Sequence, residues 1–266
     1  MESQNNDVVK PLHHLDHKTY TMEVCQQAQT FIEQGDDCVF DHMKLILRSE
    51  TGEYFYAKVK KRLPLSYTVD THDLELVQIP AENIWPQFNS TFTGAPKPPP
   101  IDCYVKRASL LDYDPDTSQD HICRQVLEEA KVCEILRKNP HPNIAKYLGC
   151  VEVDGRIHGL CFAKYAMTLQ ERATTGTPLD TKPCVQGIKD GILHLHALGL
   201  THNDINPRNI MMGADDNPVI IDFDSCKRVG EELFKGGTPD WMITNARYAT
   251  PDNDFFGLSK LEEFLS

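Results

Sequence analysis

"LTHNDINPRNIMM", residues 200–212, sets His202, Asp204 and Asn209 among apolar neighbours. Pro207 stiffens the stretch, and an apolar "IMM" (210–212) follows. A turn, "GADDNP" (213–218), and a second apolar run, "VIIDF" (219–223), predict a hairpin that brings Asp222 back beside Asn209. Asp and Asn are common turn formers, which accounts for each residue singly. It does not account for two carboxylates and an amide converging at one end of a small sheet. Hard oxygen atoms with an open side suit Mg²⁺, which takes one or two protein carboxylates and completes its shell with phosphates. Asn209 and Asp222 form that metal pair, and Asp204 is left to orient a nucleophile's hydroxyl.

Upstream, "TKPCVQGIKDGILHLHALGL" (181–200) has helical periodicity with Pro183 near its first turn. "NIAKYLGCVEVDGRIHGLCFAKY" predicts two strands around an Asp154-Gly155 turn. "HICRQVLEEAKVCEILRKN" (121–139) is the strongest helix, with Asp120 at its start. "IDCYVKRASL" (101–110) predicts a strand that carries Lys106. Residues 64–100 are rich in proline and lack a period, and "GAPKPPP" (94–100) must run extended. Further back, "MKLILRSETGEYFYAKVKK" predicts a hairpin around Thr51-Gly52. "TMEVCQQAQTFIEQ" (21–34) predicts a short amphipathic helix ended by Gly35. "HHLDH" (13–17) spaces His13 and His17 for a metal, but with no further ligands nearby it reads as a solvated terminal segment. After the hairpin, "DFFGLSKLEEFL" predicts a closing helix.

The bulk numbers narrow the class. With 266 residues, the chain is long enough for one large or two-lobed domain. A net charge of −12 disfavours general binding to nucleic acid, while leaving room for one nucleotide in a local pocket. Nine cysteines without a C-x-x-C pair fit free thiols in a reducing compartment. The polar, acidic "MESQNNDVVK" start and the lack of any run near 18 apolar residues set cytoplasm or nucleus as the expectation, with no membrane partner.

"HNDINPRN" followed by "VIIDFD" resembles the catalytic loop and metal-binding motif of the protein kinase superfamily, H-R-D-L-K-P-x-N and then D-F-G. The separations agree: five residues from Asp204 to Asn209 and 13 from Asn209 to Asp222. "HPNIAKYLGC" (141–150), "GILHLHALGLTH", "GGTPDWM" (236–242) and "NDFFGL" (253–258) resemble further segments of that family, with Asp254 as the buried acid of the last. "CYVKR" resembles its V-A-I-K strand. The resemblance makes Lys106 the lysine for the α- and β-phosphates and Glu129 its helical partner, with Glu128 the fallback and Lys58 in "YAKVK" a rival lysine. It also assigns the backbone of Lys164, Tyr165 and Ala166 to the adenine.

What the resemblance implies is an α+β, two-lobed kinase-like fold. An N-terminal extension of helix and hairpin would occupy 1–66. A β-rich small lobe would follow over 67–165. A mainly helical, shortened large lobe would fill 166–266, in the style of small kinase-like proteins of filamentous fungi. The implied activity is phosphoryl transfer from ATP with Mg²⁺ to a protein serine or threonine hydroxyl, with Asp204, Lys106 and Glu129 as the catalytic set. The chain departs from the family in lacking a G-x-G-x-x-G before Lys106 and in carrying Asn203, Asn206 and Asp224 where Arg, Lys and Gly are usual. Two alternatives therefore stand beside the protein kinase. One is a pseudokinase that binds a nucleotide or a protein partner. The other is a small-molecule kinase similar to the aminoglycoside and choline phosphotransferases.

Overall fold

The computed structural model describes residues 22–35, 37–63, 74–115, 120–233 and 237–266. The His13/His17 pair, the 66/67 boundary and Gly236 lie outside them. The chain divides into two compact units. One runs to Ala81 and takes in Leu110–Pro115; the other is Glu82–Ser109 with Asp116–Ser266.

The first unit is an antiparallel sheet of β1 (Glu23–Gln34), β2 (Asp37–Arg48), β3 (Tyr54–Val59) and β4 (Val77–Ile79), in that spatial order. The helix expected over 21–34 is therefore a strand. β1 pairs with β2 along its whole length, from Glu23↔Arg48 to Gln34↔Asp37. Local helix preference is weak, and a long ladder outweighs it. Gly35, read as a helix stop, sits at φ +67 and turns the hairpin instead. The second hairpin, β2–β3, turns at Thr51-Gly52 as expected. Met22, Met43, Leu45, Leu47 and Ala57 form this unit's core. Leu110–Pro115 joins it through hydrogen bonds. Lys44 Nζ donates to the carbonyls of Leu111 and Tyr113 at 2.8 and 2.9 Å, and Leu110 N–H donates to Gln26 Oε1 at 2.8 Å.

The second unit begins at Glu82, within the single turn α1 (Ala81–Ile84), and continues in an extended strap to about residue 95. Its first sheet orders β5 (Cys103–Lys106), β7 (Arg156–Ala163) and β6 (Tyr147–Val153). The β6–β7 turn sets Asp154 and Gly155 at φ 50 and 74, the left-handed pair that a two-residue hairpin needs. β5 pairs only with β7 among the described residues, so its other edge carries no strand. The strap lies along β6 and β7: Ile157 N–H donates to Pro86 O at 2.9 Å and Cys150 N–H to Thr93 O at 2.7 Å. Helix α2 (His121–Lys138) turns Ile122, Val126, Ala130, Cys133 and Leu136 into the core at helical spacing. Glu134 of α2, nearly buried, accepts from Thr93 N–H at 2.6 Å and Thr93 Oγ1 at 3.0 Å, fastening strap to helix.

β8 (Met167–Thr168) leads into α3 (Leu169–Thr174), started by a Thr168/Glu171 capping box. Then come α4 (Thr181–Ala197), β9 (Leu200–Thr201), β10 (Ile210–Met212), β11 (Pro218–Ile220), β12 (Lys227–Arg228) and α5 (Pro251–Phe264). β10 lies between β8 and β11 in a second sheet, and β12 pairs with β9. Between β12 and α5 the chain leaves and returns through a narrow neck. Gly230 N–H donates to Ala249 O, Ala249 N–H to Glu231 O and Leu233 N–H to Arg247 O, at 2.8, 2.8 and 2.9 Å. One core runs through this unit, from Phe92 and Val126 to Phe223 and Leu261. The fold is α+β. All nine cysteines are free, five of them buried. No helix among the described residues is long and apolar enough to cross a membrane.

Candidate functional site

Lys106 ends β5, and its Nζ lies 2.7 Å from Glu129 Oε1 and 2.5 Å from Asp222 Oδ1. Residues from a strand, a helix and a loop thus converge on one ammonium. Burial alone would draw the Lys106 pKa down. Attraction to Glu129, then to Asp222 and Asp224, outweighs burial and holds it above the ordinary lysine value. On Glu129, wholly enclosed, burial prevails over the pull of Lys106 and raises the carboxyl. Lys58, the rival lysine, stands on β3 in the first unit, over the Tyr56 ring.

Asp222 has φ 65 and ψ 77, a left-handed conformation that starts a 3₁₀ turn over Phe223–Ser225. Asp is among the few side chains that accept this region. Phe223 packs edge-on against His202, with ring centroids 5.7 Å apart. Asp224 accepts from Gln125 Nε2 at 2.9 Å and from Ser225 Oγ at 3.0 Å. Gln125 and Glu129 are one helical turn apart, so a single face of α2 holds both ends of this loop.

The loop from β9 to β10 is held from below. Asp254, fully buried in α5, accepts from the N–H groups of His202 and Asn203 at 2.9 and 2.7 Å and lies 2.8 Å from His196 Nε2. Asn203, at φ 65, spends its whole amide on structure. Its Nδ2 donates to Thr201 O and Ser225 O, and its Oδ1 accepts from Thr201 Oγ1 and Asn253 Nδ2. At Gly257 the two segments touch so closely that a methyl group would stand 2.5 Å from Ile205 O. His202 Nε2 meets Ile221 O at 2.9 Å, which makes it a packing residue of the loop.

Asp204 is half-buried, and both carboxylate oxygens have protein partners. Asn209 Nδ2 donates to Oδ2 at 2.9 Å and Thr238 N–H to Oδ1 at 2.7 Å. Asn206, where the family resemblance has lysine, donates to Thr238 Oγ1 at 3.1 Å and accepts from Arg208 N–H at 2.9 Å. Ile221 N–H donates to Asn209 O at 2.9 Å, which sets Asp222 beside Asn209 as the hairpin predicts. Arg172 of α3 braces the far end of that hairpin with two hydrogen bonds to the Asp216 carboxylate, at 2.9 and 2.8 Å.

The donor set fits Mg²⁺ bound together with phosphates. Asn209 turns its Nδ2 inward to Asp204, which leaves Oδ1 as its acceptor, and Asp222 gives one oxygen to Lys106, which leaves the other. Among the described residues no group of three or more His, Cys, Asp or Glu forms a cage for an ion. An amide and a carboxylate oxygen need a phosphate-bearing ligand to complete the shell. A cavity of about 280 Å³ opens beside them. Tyr104, Lys106 and Phe162 line it from the first sheet, Lys164 and Tyr165 from the link that follows, Met211 from β10, and Ile221 and Asp222 from the segment after β11. Of the residues assigned to adenine, Lys164 and Tyr165 line this cavity and Ala166 does not.

Periodicity could have found two contributors that the motifs did not. Tyr104 is two residues before Lys106 on a strand, and Gln125 is four before Glu129 on a helix; each shares a face with its partner. Asp224, two after Asp222, was visible only as a departure. The Thr238 N–H contact carries no local signal.

The chain matches the family model described as the protein kinase domain over residues 109–258, more than half its length. It is 32% identical over 130 residues to the serine/threonine-protein kinase H1 homolog of Danio rerio, an alignment of 43% of this chain and 31% of that protein. Against serine/threonine-protein kinase H1 of Homo sapiens the identity is 31% over 139 residues, covering 47% and 33%. Serine/threonine-protein kinase PSK1 of Saccharomyces cerevisiae is 29% identical over 130 residues, covering 47% and 9%. The chain thus spans about a third or less of the length of these relatives.

Proposed function

The chain belongs to the protein kinase domain family, and on that premise we propose that it transfers the γ-phosphoryl group of ATP, with Mg²⁺, to a serine or threonine hydroxyl of a protein. The observation that carries this reading is Lys106 clasped between Glu129 at 2.7 Å and Asp222 at 2.5 Å, at the mouth of an apolar slot. In this reading β5–β7–β6 with α2 is the small lobe, and the segments from β8 to α5 belong to the large one. Lys106, kept charged and fixed by Glu129, neutralises the α- and β-phosphates. Asn209 and Asp222 would hold the ion, which would supply neutralisation of phosphate charge. Asp204 aligns the attacking hydroxyl, itself aligned by Asn209. Such a site works by positioning and electrostatics rather than by covalent steps. The serine/threonine choice rests on the relatives, which are serine/threonine-protein kinases by name.

A second reading is favoured by one observation: both oxygens of Asp204 are engaged, by Asn209 and by Thr238 N–H. A protein that binds Mg·ATP, or a partner, without turnover would tolerate that engagement. Thermal unfolding with and without Mg·ATP, followed by a γ-phosphate transfer assay on a mixed protein substrate, tests both. We expect Mg·ATP to raise the midpoint of the wild type and not of Asp222→Asn, since a ligand of the folded state stabilises by mass action. Asp204→Asn should keep that shift and lose about 10²- to 10⁴-fold in turnover. Turnover that survives Asp204→Asn removes the role given to Asp204. A shift without any turnover in the wild type selects the second reading.

A further inference from the structure

Next to the cavity beside Lys106, the second unit holds a larger and more open groove, of about 670 Å³. The two share Ala145 and Tyr165, so one aromatic residue is a wall of both. Pro140, Pro142, Leu148 and Tyr165 give the groove apolar sides, and Arg137 and Lys146 add two cations. No Asp or Glu lines it among the described residues. On a chain with a net charge of −12, this is a local reversal of sign.

The two cations come from separate segments. The end of α2 accounts for Arg137, since a cation in the last turn offsets the helix carbonyls. It does not account for Lys146, which precedes β6. Arg137 Nε lies 3.5 Å from Glu134 Oε2, a loose pairing, and Glu134 also accepts from Thr93. Lys146 is exposed and has no ion pair among the described residues. Its backbone is fixed: Lys146 N–H donates to Tyr165 Oη at 3.2 Å, and Ala163 N–H donates to Lys146 O at 2.9 Å. The cation is thus rooted beside the aromatic wall, which leaves less ordering for a ligand to impose. We propose that this groove is a docking site for an extended acidic segment of a partner protein. Apolar side chains of that segment would lie against the prolines and Tyr165, and its carboxylates would face Arg137 and Lys146. Nucleic acid fits less well, because two cations in an acidic chain give a phosphate backbone little to hold.

Fluorescence anisotropy on the full chain, with three labelled probes, tests this. The probes are a short peptide alternating Glu and Leu, the same peptide with Gln for Glu, and a short single-stranded RNA. The Glu/Leu peptide should bind, more tightly than the Gln/Leu peptide, and should weaken as salt rises. Arg137→Glu combined with Lys146→Glu should weaken it roughly 5- to 50-fold, since two exposed ion pairs are lost and two repulsions gained. Lys182→Glu combined with Lys189→Glu, both exposed on α4, changes the net charge equally and should leave binding as it was. That control separates the groove from the field of the whole chain. Lys146→Glu alone lies outside any helix and carries the comparison if the double variant unfolds. Four results would each overturn the proposal: no saturation by the Glu/Leu peptide up to about 1 mM, equal binding of the Gln/Leu peptide, an equal loss in the α4 control, or tighter binding of the RNA that Lys146→Glu abolishes.

Discussion

Single side chains in this site are held in place by groups that have no reaction to perform. Asn203 replaces the arginine that the family resemblance calls for and uses its amide in four hydrogen bonds, to Thr201, Ser225 and Asn253. It has no cation with which to read a phosphate on a neighbouring segment. Asp254 does the matching work from α5, and Gly257 lets α5 approach within van der Waals contact of the loop backbone. A methyl group there would stand 2.5 Å from Ile205 O and 2.8 Å from Ile205 Cβ, so the loop itself would have to shift. Gly257→Ala is therefore expected to destabilise the protein by about 1–3 kcal/mol, the usual cost of overpacking, read from urea unfolding. Ser259→Ala, two residues along and exposed, should stay within about 0.5 kcal/mol of the wild type. A Gly257→Ala midpoint equal to that of Ser259→Ala would show that the loop yields freely.

At the scale of elements, α2 is the part on which the Lys106–Glu129 pair depends, and it is fastened twice. Gln125 reaches the Asp224 loop on one side, and Glu134 holds the strap through Thr93 on the other. Glu134→Ala would leave the half-buried Thr93 N–H without its partner, an expected loss of about 1 kcal/mol. Hydrogen exchange should then quicken at Thr93, Ala95 and Cys150 and remain slow in α4. Unchanged exchange in the strap would assign its anchoring to the backbone hydrogen bonds with β6 and β7. The helices α2 and α4, the β6–β7 hairpin and the hairpin carrying Asn209 and Asp222 were all legible, because each has a strong period or a defined turn. β1 was not. Its Gln, Ala, Thr and Ile suit a short helix as well as a strand, and the choice is made by β2, which no local window contains. The strap was also unreadable, since its order comes from hydrogen bonds to β6, β7 and α2.

At the scale of the molecule, each of the two units has a core of its own among the described residues. One gathers around Met43, Leu45 and Leu47, the other around Ile188, Ile192 and Phe223. Separate cores predict two calorimetric transitions, and Mg·ATP should raise only the one belonging to the unit that carries Lys106. A single transition that moves as a whole would mean the two cores melt as one cooperative body. That Leu110–Pro115 belongs to the first unit was beyond reach of the sequence, because the bonds to Lys44 and Gln26 span 67 to 84 residues. The neck between Gly230–Leu233 and Arg247–Ala249 has a different consequence, for descent rather than for folding. A stretch whose two ends are already tied can change length at little cost, about 0.6 kcal/mol for each doubling of a flexible loop. The entropic cost of a change in length between those ties is thus small, so selection on this stretch acts through its contacts: Thr238 N–H on Asp204 and the Trp241 ring on Phe264.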